Sequence, residues 1–477
     1  MKKADPVDPR QRAASVAVVW LRAILLMATA MLTFVSPGRV VGSSNGTTSI
    51  HEATKSGRAT VGLTTPPPPP SSPIVLGTPA TEEGFGDAAI AVDANGNINV
   101  AWVNRSPIFR RSTNNGSSFS DPVAIPPENL GGTNAPKIQM GLDALGDIHL
   151  LWTADLTGTG QTLTDFFSRS VDGGQSFSEP IAVATTTAEP GTRARLVVQP
   201  DGTIIIVWFD QTTSNLFASS STDGVNFSAP ILIWTAAGTA RYLASGVGSQ
   251  GQIYVLWTQT ISSDNCAILF SSSTDGATFS PAASISDGSG ACNIDPQVLV
   301  DANDNVNVSW HADGTSLFFT RSQDSGVTFS PPASVPTGPI PLATLLDQHI
   351  AVGPDDTIYI AWSAASHGFL SSSTDGGTTF SVPTPLSLGT LDSPFVAVDP
   401  CNDVSVVGQG DAPNLNILLQ QSTDSGVTFS SPITLSNTFG NFTAKLATDP
   451  QGNLNVVYDV DGPPLLVYVR EPTSCCP

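Results

Sequence analysis

The sequence predicts an all-β protein, a β-propeller of eight four-stranded antiparallel blades. Two recurring units and one orphan strand carry that prediction. The first unit is a box, Ser-x-Asp-x-Gly-x-Ser/Thr-Phe, returning at intervals of roughly fifty residues, a period that means solenoid, propeller or array. It reads Ser170-Val-Asp172-Gly-Gly174-Gln-Ser176-Phe177 and returns around Asp324, Asp375 and Asp424. An earlier copy carries Asn114 in place of Asp, and the copies at Asp223 and Asp275 are a residue shorter. The second unit lies upstream of each box: apolar alternation, an Asp/Asn/Gly turn, more alternation, then usually Trp. Examples run from Ile90 to Trp102 and from Ile350 to Trp362. Alternation of period two across such a turn is a β-hairpin, and the box caps a second one. Two hairpins make one blade.

The orphan strand decides the closure. There are eight first hairpins but seven boxes, because the last unit stops after the run from Leu465 to Arg470. Ser71-Ser-Pro-Ile-Val-Leu76 repeats Ser430-Ser-Pro-Ile-Thr-Leu435 with no box before it. An N-terminal strand that completes the last blade closes the ring and removes its exposed edges. Seven blades with one spare hairpin is the alternative count.

The flanks follow the propeller assignment of 71–470. Residues 1–44 read as a signal peptide or an uncleaved N-terminal anchor. A basic stretch ends at Arg12, and an apolar segment runs from Ala13 to Val35, interrupted by Arg22. Its cleanest part, from Ala23 on, has secretory length and is short for a bilayer span. Small residues at Gly42-Ser43-Ser44 suit cleavage. Either reading exports the rest, so the expected location is secreted or cell surface. Residues 45–70 form a Ser/Thr/Gly/Pro-rich linker ending in a proline run at 66–70, a stiff polyproline spacer. Residues 471–477 are a short tail.

Composition agrees with short strands and tight turns: 12% charged residues with abundant Gly and Pro. The formal charge is −21, and Lys2, Lys3, Arg10, Arg12, Arg22 and Arg39 all lie in the leader, so the exported part is more acidic still. Such a surface repels phosphate backbones and anionic lipid, which excludes nucleic acid as a partner. The only membrane contact expected is an uncleaved anchor. Cysteines in an exported chain pair. Cys266 and Cys292 fall on loops of one face and make the first disulfide candidate; Cys401 with Cys475 or Cys476 is the second. No zinc-ligand spacing occurs.

The boxes resemble the Asp-box, or bacterial neuraminidase repeat, of the sialidase-like propeller superfamily. The resemblance covers roughly residues 71 to 470. It implies that Asn114, Asp172, Asp223, Asp275, Asp324, Asp375 and Asp424 shape turns on the outer rim, away from any active centre. Their physics is local: carboxylate and Ser hydroxyl accept turn N–H bonds, Gly supplies an unusual backbone angle, and Phe packs between sheets. The first hairpins also resemble NHL-type repeats. Sialidases, other glycoside hydrolases and purely binding receptors share such propellers, so fold alone names no reaction. The Arg-Ile-Pro motif of sialidases is absent, arginines are few, and sialidases of this family close with six blades. Arg111, Arg169 and Arg321 directly precede box serines, where a structural role is expected.

A site would sit where inner strands begin, at the mouth of the central channel. Stepping back six residues from the turn position held by Asp93 gives Asp87, Lys137, Arg193, Tyr242, Asp295, Asp347, Ser393 and Thr443. The second-to-third strand loops of the same face add Asn104, Asp155, Asp210, His311, Asp313, His367, Asp411, Asp459 and Asp461. Solvated strand ends would look the same, so the ring is a candidate: Asp87, Lys137, Arg193, Tyr242, Asp295 and Asp347. Its mixed charge suits hydroxyl-rich neutral sugars or a cation-assisted ligand better than an anionic sugar. The one cofactor this chemistry admits is Ca2+, held by Asp carboxylates and backbone carbonyls. Asp93-Ala-Asn95-Gly-Asn97 lacks EF-hand spacing and reads as a turn. No catalytic residue is assigned. The expectation is a glycan- or extracellular-protein-binding propeller, with a glycoside hydrolase of the sialidase-like superfamily, of the exo-sialidase type, as the alternative; paired Asp residues would act as acid and base only if they stood about 5–10 Å apart.

Overall fold

A computed structural model describes residues 71–472 except for segments 78–86, 105, 127–136, 157–161, 188–193, 211, 237, 263–264, 287–291, 313–315, 339–344, 365–366, 389–393, 411–415, 437–439 and 461–464. The expected leader, linker and final tail residues lie outside this set.

Alternating apolar residues form eight antiparallel four-stranded sheets, each one propeller blade. Blades 1 to 7 span 87–124, 138–187, 195–234, 240–284, 293–335, 345–386 and 395–434, with strands in sequence order from the channel outward. Blade 8 takes 440–471 and borrows Ile74–Gly77 as its outermost strand. The second strands, such as Ile148–Ala154 and Ile358–Ala364, are buried along their whole length, as strands covered on both faces must be. Their aromatic residues, Trp102 through Trp362 and then Tyr458, anchor the apolar clusters between neighbouring blades.

Each Ser-x-Asp turn closes the lower face in the same way. Ser170 Oγ donates to Asp172 Oδ1 and accepts from Gly174 N, while Asp172 Oδ1 accepts from Ser176 N. Gly174 has φ +83°, and a Cβ there would strike the Phe109 ring at 1.9 Å, so glycine is required. The turn's Phe177 packs edge-on against Phe109 of the preceding blade at 5.2 Å. Each turn therefore couples its own hairpin to its neighbour. The arginine before the box serine reaches the inner hairpin's turn, Arg111 to Asp93 at 2.6 Å and Arg321 to Asp301 at 2.8 Å, and Arg470, which precedes Glu471 in the boxless blade 8, reaches Asp449 at 2.7 Å.

The seam in blade 8 copies this arrangement without a covalent link. In blade 1, Ser120 N donates to Arg111 O and Arg111 N donates to Ser120 Oγ. In blade 8, Ser71 N donates to Arg470 O at 3.1 Å and Arg470 N to Ser71 Oγ at 2.8 Å. Ile74 pairs with Tyr468 as Val123 pairs with Phe109. The third strand runs to Glu471, one residue beyond the expected boundary. Glu471 opposes Leu454 in the register position that box serines hold elsewhere.

Candidate functional site

The inner strands begin on the upper face, opposite the Ser-x-Asp turns, and their first residues ring the channel mouth. Of the candidate ring, Arg193 lies outside the described residues, as do Ser393, Asp313, Asp411 and Asp461. Asp347 and Thr443 are placed by backbone only. Asp87, Lys137, Tyr242 and Asp295 are described.

Asp87 opens the inner strand of blade 1 and is only 5% exposed. Its Oδ2 accepts a long bond from Ile138 N at 3.4 Å and lies 3.9 Å from Lys137 Nζ of blade 2. Oδ1 lies 3.9 Å from Lys445 Nζ of blade 8 and accepts no hydrogen bond. A buried carboxylate oxygen without a donor is costly and unusual. Both lysines are partly exposed and beyond hydrogen-bond reach, so their charges remain available to a ligand.

Tyr242 and Asp295 occupy bulges. In blade 4, Arg241 pairs with Thr258 and Ala244 with Leu256, leaving Tyr242 and Leu243 opposite the single Trp257. In blade 5, Asp295 and Pro296 stand opposite Trp310. The registers of blades 6 and 8 shift at Asp347 and across Thr443. The bulges thus fall at the six-back positions in these four blades. Tyr242 has φ 53° and Asp295 φ 54°. Asp tolerates the left-handed region, but for a bulky Tyr it is a true outlier, worth about 1–3 kcal/mol of strain. Bulges of this kind re-aim side chains at barrel rims and sites.

The contacts between blades run two residues deeper, through side chains absent from the sequence-based ring. Four back from the turn stand Gln139, Arg195, His349, Phe395 and Lys445. Gln139 Nε2 donates to Ala194 O at 2.7 Å, and Arg195 Nε to Leu243 O at 2.6 Å. His349 lies tilted against Phe395 at 3.9 Å between centroids, and Lys445 Nζ sits 5.4 Å from the same ring. Gln348 Nε2 donates to Asp295 O at 2.7 Å, supporting that bulge from the next blade. The same alignment, stepped back four residues instead of six, would have found this girdle.

The described cations fall into two groups by their place in the blades. Arg110, Arg111, Arg169, Arg321 and Arg470 are tied to backbone carbonyls or turn aspartates of the strands and the lower face. Lys137, Arg195, Arg241 and Lys445 lie on the inner strands or at their start, in blades 2, 3, 4 and 8, an arc that includes blade 1 with Asp87. Asp295 and Asp347 belong to blades 5 and 6, across the channel. Among the described residues, the cations at the inner strands therefore gather in blades 2, 3, 4 and 8, within the mixed-charge ring that the sequence suggested.

Other sequence-based candidates serve the fold. Asp324, Asp375 and Asp424 are held down to about 2 by the hydroxyl and N–H of Thr328, Thr379 and Thr428. In the shorter copies, Asp223 and Asp275 bind N–H groups of residues 225–226 and 277–278. Asn114 makes the same turn contacts with its amide. Asp93 Oδ1 accepts from Asn95 N and Asn97 N, and Oδ2 from Asn97 Nδ2 and Arg111, so both oxygens are taken by protein donors. Burial lowers the pKa of His149, packed at 3.2 Å from Asp143. Cys266 and Cys292 form a disulfide joining blade 4 to the entrance of blade 5. Next to it, Asn293 Nδ2 donates to Cys266 O, and Trp310 Nε1 to Asn293 Oδ1. Cys401 is disulfide-bonded too, with a partner outside the described residues.

No family model matches the chain, and no curated protein matches it. Among solved structures it is similar to an ulvan lyase from a polysaccharide lyase family, with TM-score 0.48 and 14% identity over 76% of this chain and 96% of that one. It is similar also to an α-L-arabinofuranosidase from Fusarium graminearum, with TM-score 0.43 and 13% identity over 77% and 99%. A third is the NanB sialidase from Streptococcus pneumoniae, with TM-score 0.39 and 11% identity over 83% and 70%. Similarity of this degree says nothing about chemistry.

Proposed function

We propose that the protein is an exported Asp-box propeller that binds a glycan, without catalysis, at the upper mouth of its channel. The observation that carries this reading is Asp87, a buried carboxylate with an uncommitted oxygen between two half-exposed lysines. A glycan hydroxyl can take the donor role that no protein group fills, while Lys137 and Lys445 hold ring oxygens or an acidic substituent. The strained Tyr242, and Asp295 on the next bulged strand, supply a second set of contacts across the channel. Export is supported by the apolar leader and by the Cys266–Cys292 disulfide. The chain enters the propeller at Ser71 on the lower face, so an attached N-terminus would present the mouth away from the cell.

The second reading is glycoside hydrolysis. It is favoured by one observation, that Asp295 and Asp347 fall at the register shifts of the inner strands of neighbouring blades; hydrolysis would need their carboxylates about 5–10 Å apart. A glycan-binding array run beside a screen of chromogenic glycosides separates the two. Retention of glycans with no release of chromophore is expected. Release at enzyme-like rates, lost in Asp295→Asn, would replace the binding reading with hydrolysis.

A further inference from the structure

A second feature lies on the side wall, away from the channel. Of the aligned tryptophans, Trp102, Trp152, Trp257, Trp310 and Trp362 are covered to 1% exposure or less, but Trp208 is 7% exposed. The reason is one side chain in the preceding blade. Outer strands lay a residue over the next blade's tryptophan, and in blades 2 and 3 a bulge sets which one. In blade 3, Leu216 pairs with Trp234, and Trp234 covers Trp257 at 5.7 Å between ring centroids. In blade 2, the register-equivalent residue Asp165 pairs with Ala184. Where the next blade places an indole, this one places a methyl group.

The result is an open groove of about 400 Å3 between blades 2 and 3, within the usual range for small-ligand sites. Ala182 and Ala184 form one wall, and Trp208 stacked on Phe217 at 6.2 Å forms the other. Its rim is polar. Thr185 lines one side and Asp210 the other. Asp210 Oδ1 accepts Thr212 N, Thr213 N and Thr213 Oγ1, which fixes the carboxylate and leaves Oδ2 without a described donor.

We propose that this groove is a second carbohydrate site, taking one uncharged sugar ring of a glycan in the place that Trp234 fills one blade on. A pyranose presents an apolar C–H face to the aromatic wall and hydroxyl donors at its edge. Those donors match Asp210 Oδ2 and Thr185. An aromatic side chain would fill the apolar volume but leave most of that polar rim unmatched. The ligand class rests on the glycan-binding reading, but the site shares no residue with the ring of inner-strand starts, and Asp210, an upper-face loop residue, lines the groove.

The test uses the full chain labelled with 5-fluorotryptophan, with the Trp208 19F signal assigned through Trp208→Phe. The probes are neutral xylo-, cello-, manno- and laminari-oligosaccharides at millimolar concentration, and N-acetyl-tryptophanamide as the aromatic competitor. At least one oligosaccharide should shift the Trp208 signal saturably. Asp210→Asn should weaken that response about tenfold, and Ala184→Trp should abolish it. Ala184→Leu, a smaller plug, gives the same reading if the Trp variant folds poorly. No shift with any oligosaccharide, a shift with the aromatic probe alone, or an unchanged response in the plugged variants overturns the assignment. Because the signal is read at Trp208, failure of the channel-mouth site does not affect it.

Discussion

At the scale of single residues, the candidate site is marked by what it costs the fold. Tyr242 holds a left-handed backbone that glycine would hold without strain, and Asp87 keeps a buried oxygen without a donor. Groups optimised for stability alone would show neither. Tyr242→Gly is therefore expected to stabilise the protein, by about 1 kcal/mol, while weakening glycan binding. Thermal melts beside binding titrations check both halves. Loss of stability would mean that Tyr242 serves packing. Neither marker was legible in the sequence. The alignment identified positions 242 and 295 as polar strand starts, but a bulge arises only when the partner strand's register is known. Lys445 was missed because it lies four residues before its turn, inside what reads as an apolar strand.

At the scale of elements, the third strand of blade 8, Leu465–Glu471, ends differently from its seven counterparts. Glu471 replaces the box serine, is 3% exposed, and has one oxygen without a donor. Burial pushes its carboxyl up to about 7 from the model-peptide value of 4.5. A carboxyl raised on folding favours the native state fully below pH 4.5, and that contribution is lost as pH rises through about 7. The wild-type melting temperature should accordingly fall between pH 4.5 and 7 relative to Glu471→Gln, by the equivalent of about 1–3 kcal/mol. Parallel melting curves for the two proteins would contradict a buried neutral Glu471. His149 is present in both and cancels. The Ser-x-Asp turns move the other way, with carboxylates held low, and they weaken only in stronger acid, below about pH 4.

At the scale of the whole molecule, the ring is closed by hydrogen bonds and apolar burial between chain segments far apart in sequence. Removing 71–77 would uncover Trp102, which packs against Leu76 and Gly77, and would bare the strand Leu465–Glu471 as an edge. Aggregation or a large drop in melting temperature is expected, and unchanged melting would refute the shared blade. This closure was legible because the unpaired hairpin and the boxless Ser71 to Leu76 repeat point to each other. Blade number and strand order were likewise legible, since period two and a repeat near fifty residues leave little choice. The side-wall groove was not, because Ala184 stands out only when set against Trp234 after both strands have bulged. Function was least legible of all, as a repeat conserves the turns that build blades and leaves the channel mouth free to vary.

The most direct measurement compares two variants in binding to the same array-selected glycan. One replaces Asp87, Lys137 and Lys445 by Ala at the mouth; the other replaces Asp172 and Asp375 by Ala in the lower-face turns. The lysines are partly exposed and 3.9 Å from Asp87, which already keeps a buried oxygen without a donor and accepts only a long bond, so loss of the three should cost on the order of 1 kcal/mol of stability. The account expects the mouth variant to melt near the wild type yet bind at least tenfold more weakly, about 1.4 kcal/mol. The turn variant should melt several degrees lower and keep its affinity. Wild-type affinity in the mouth variant would contradict the account and place the principal site elsewhere.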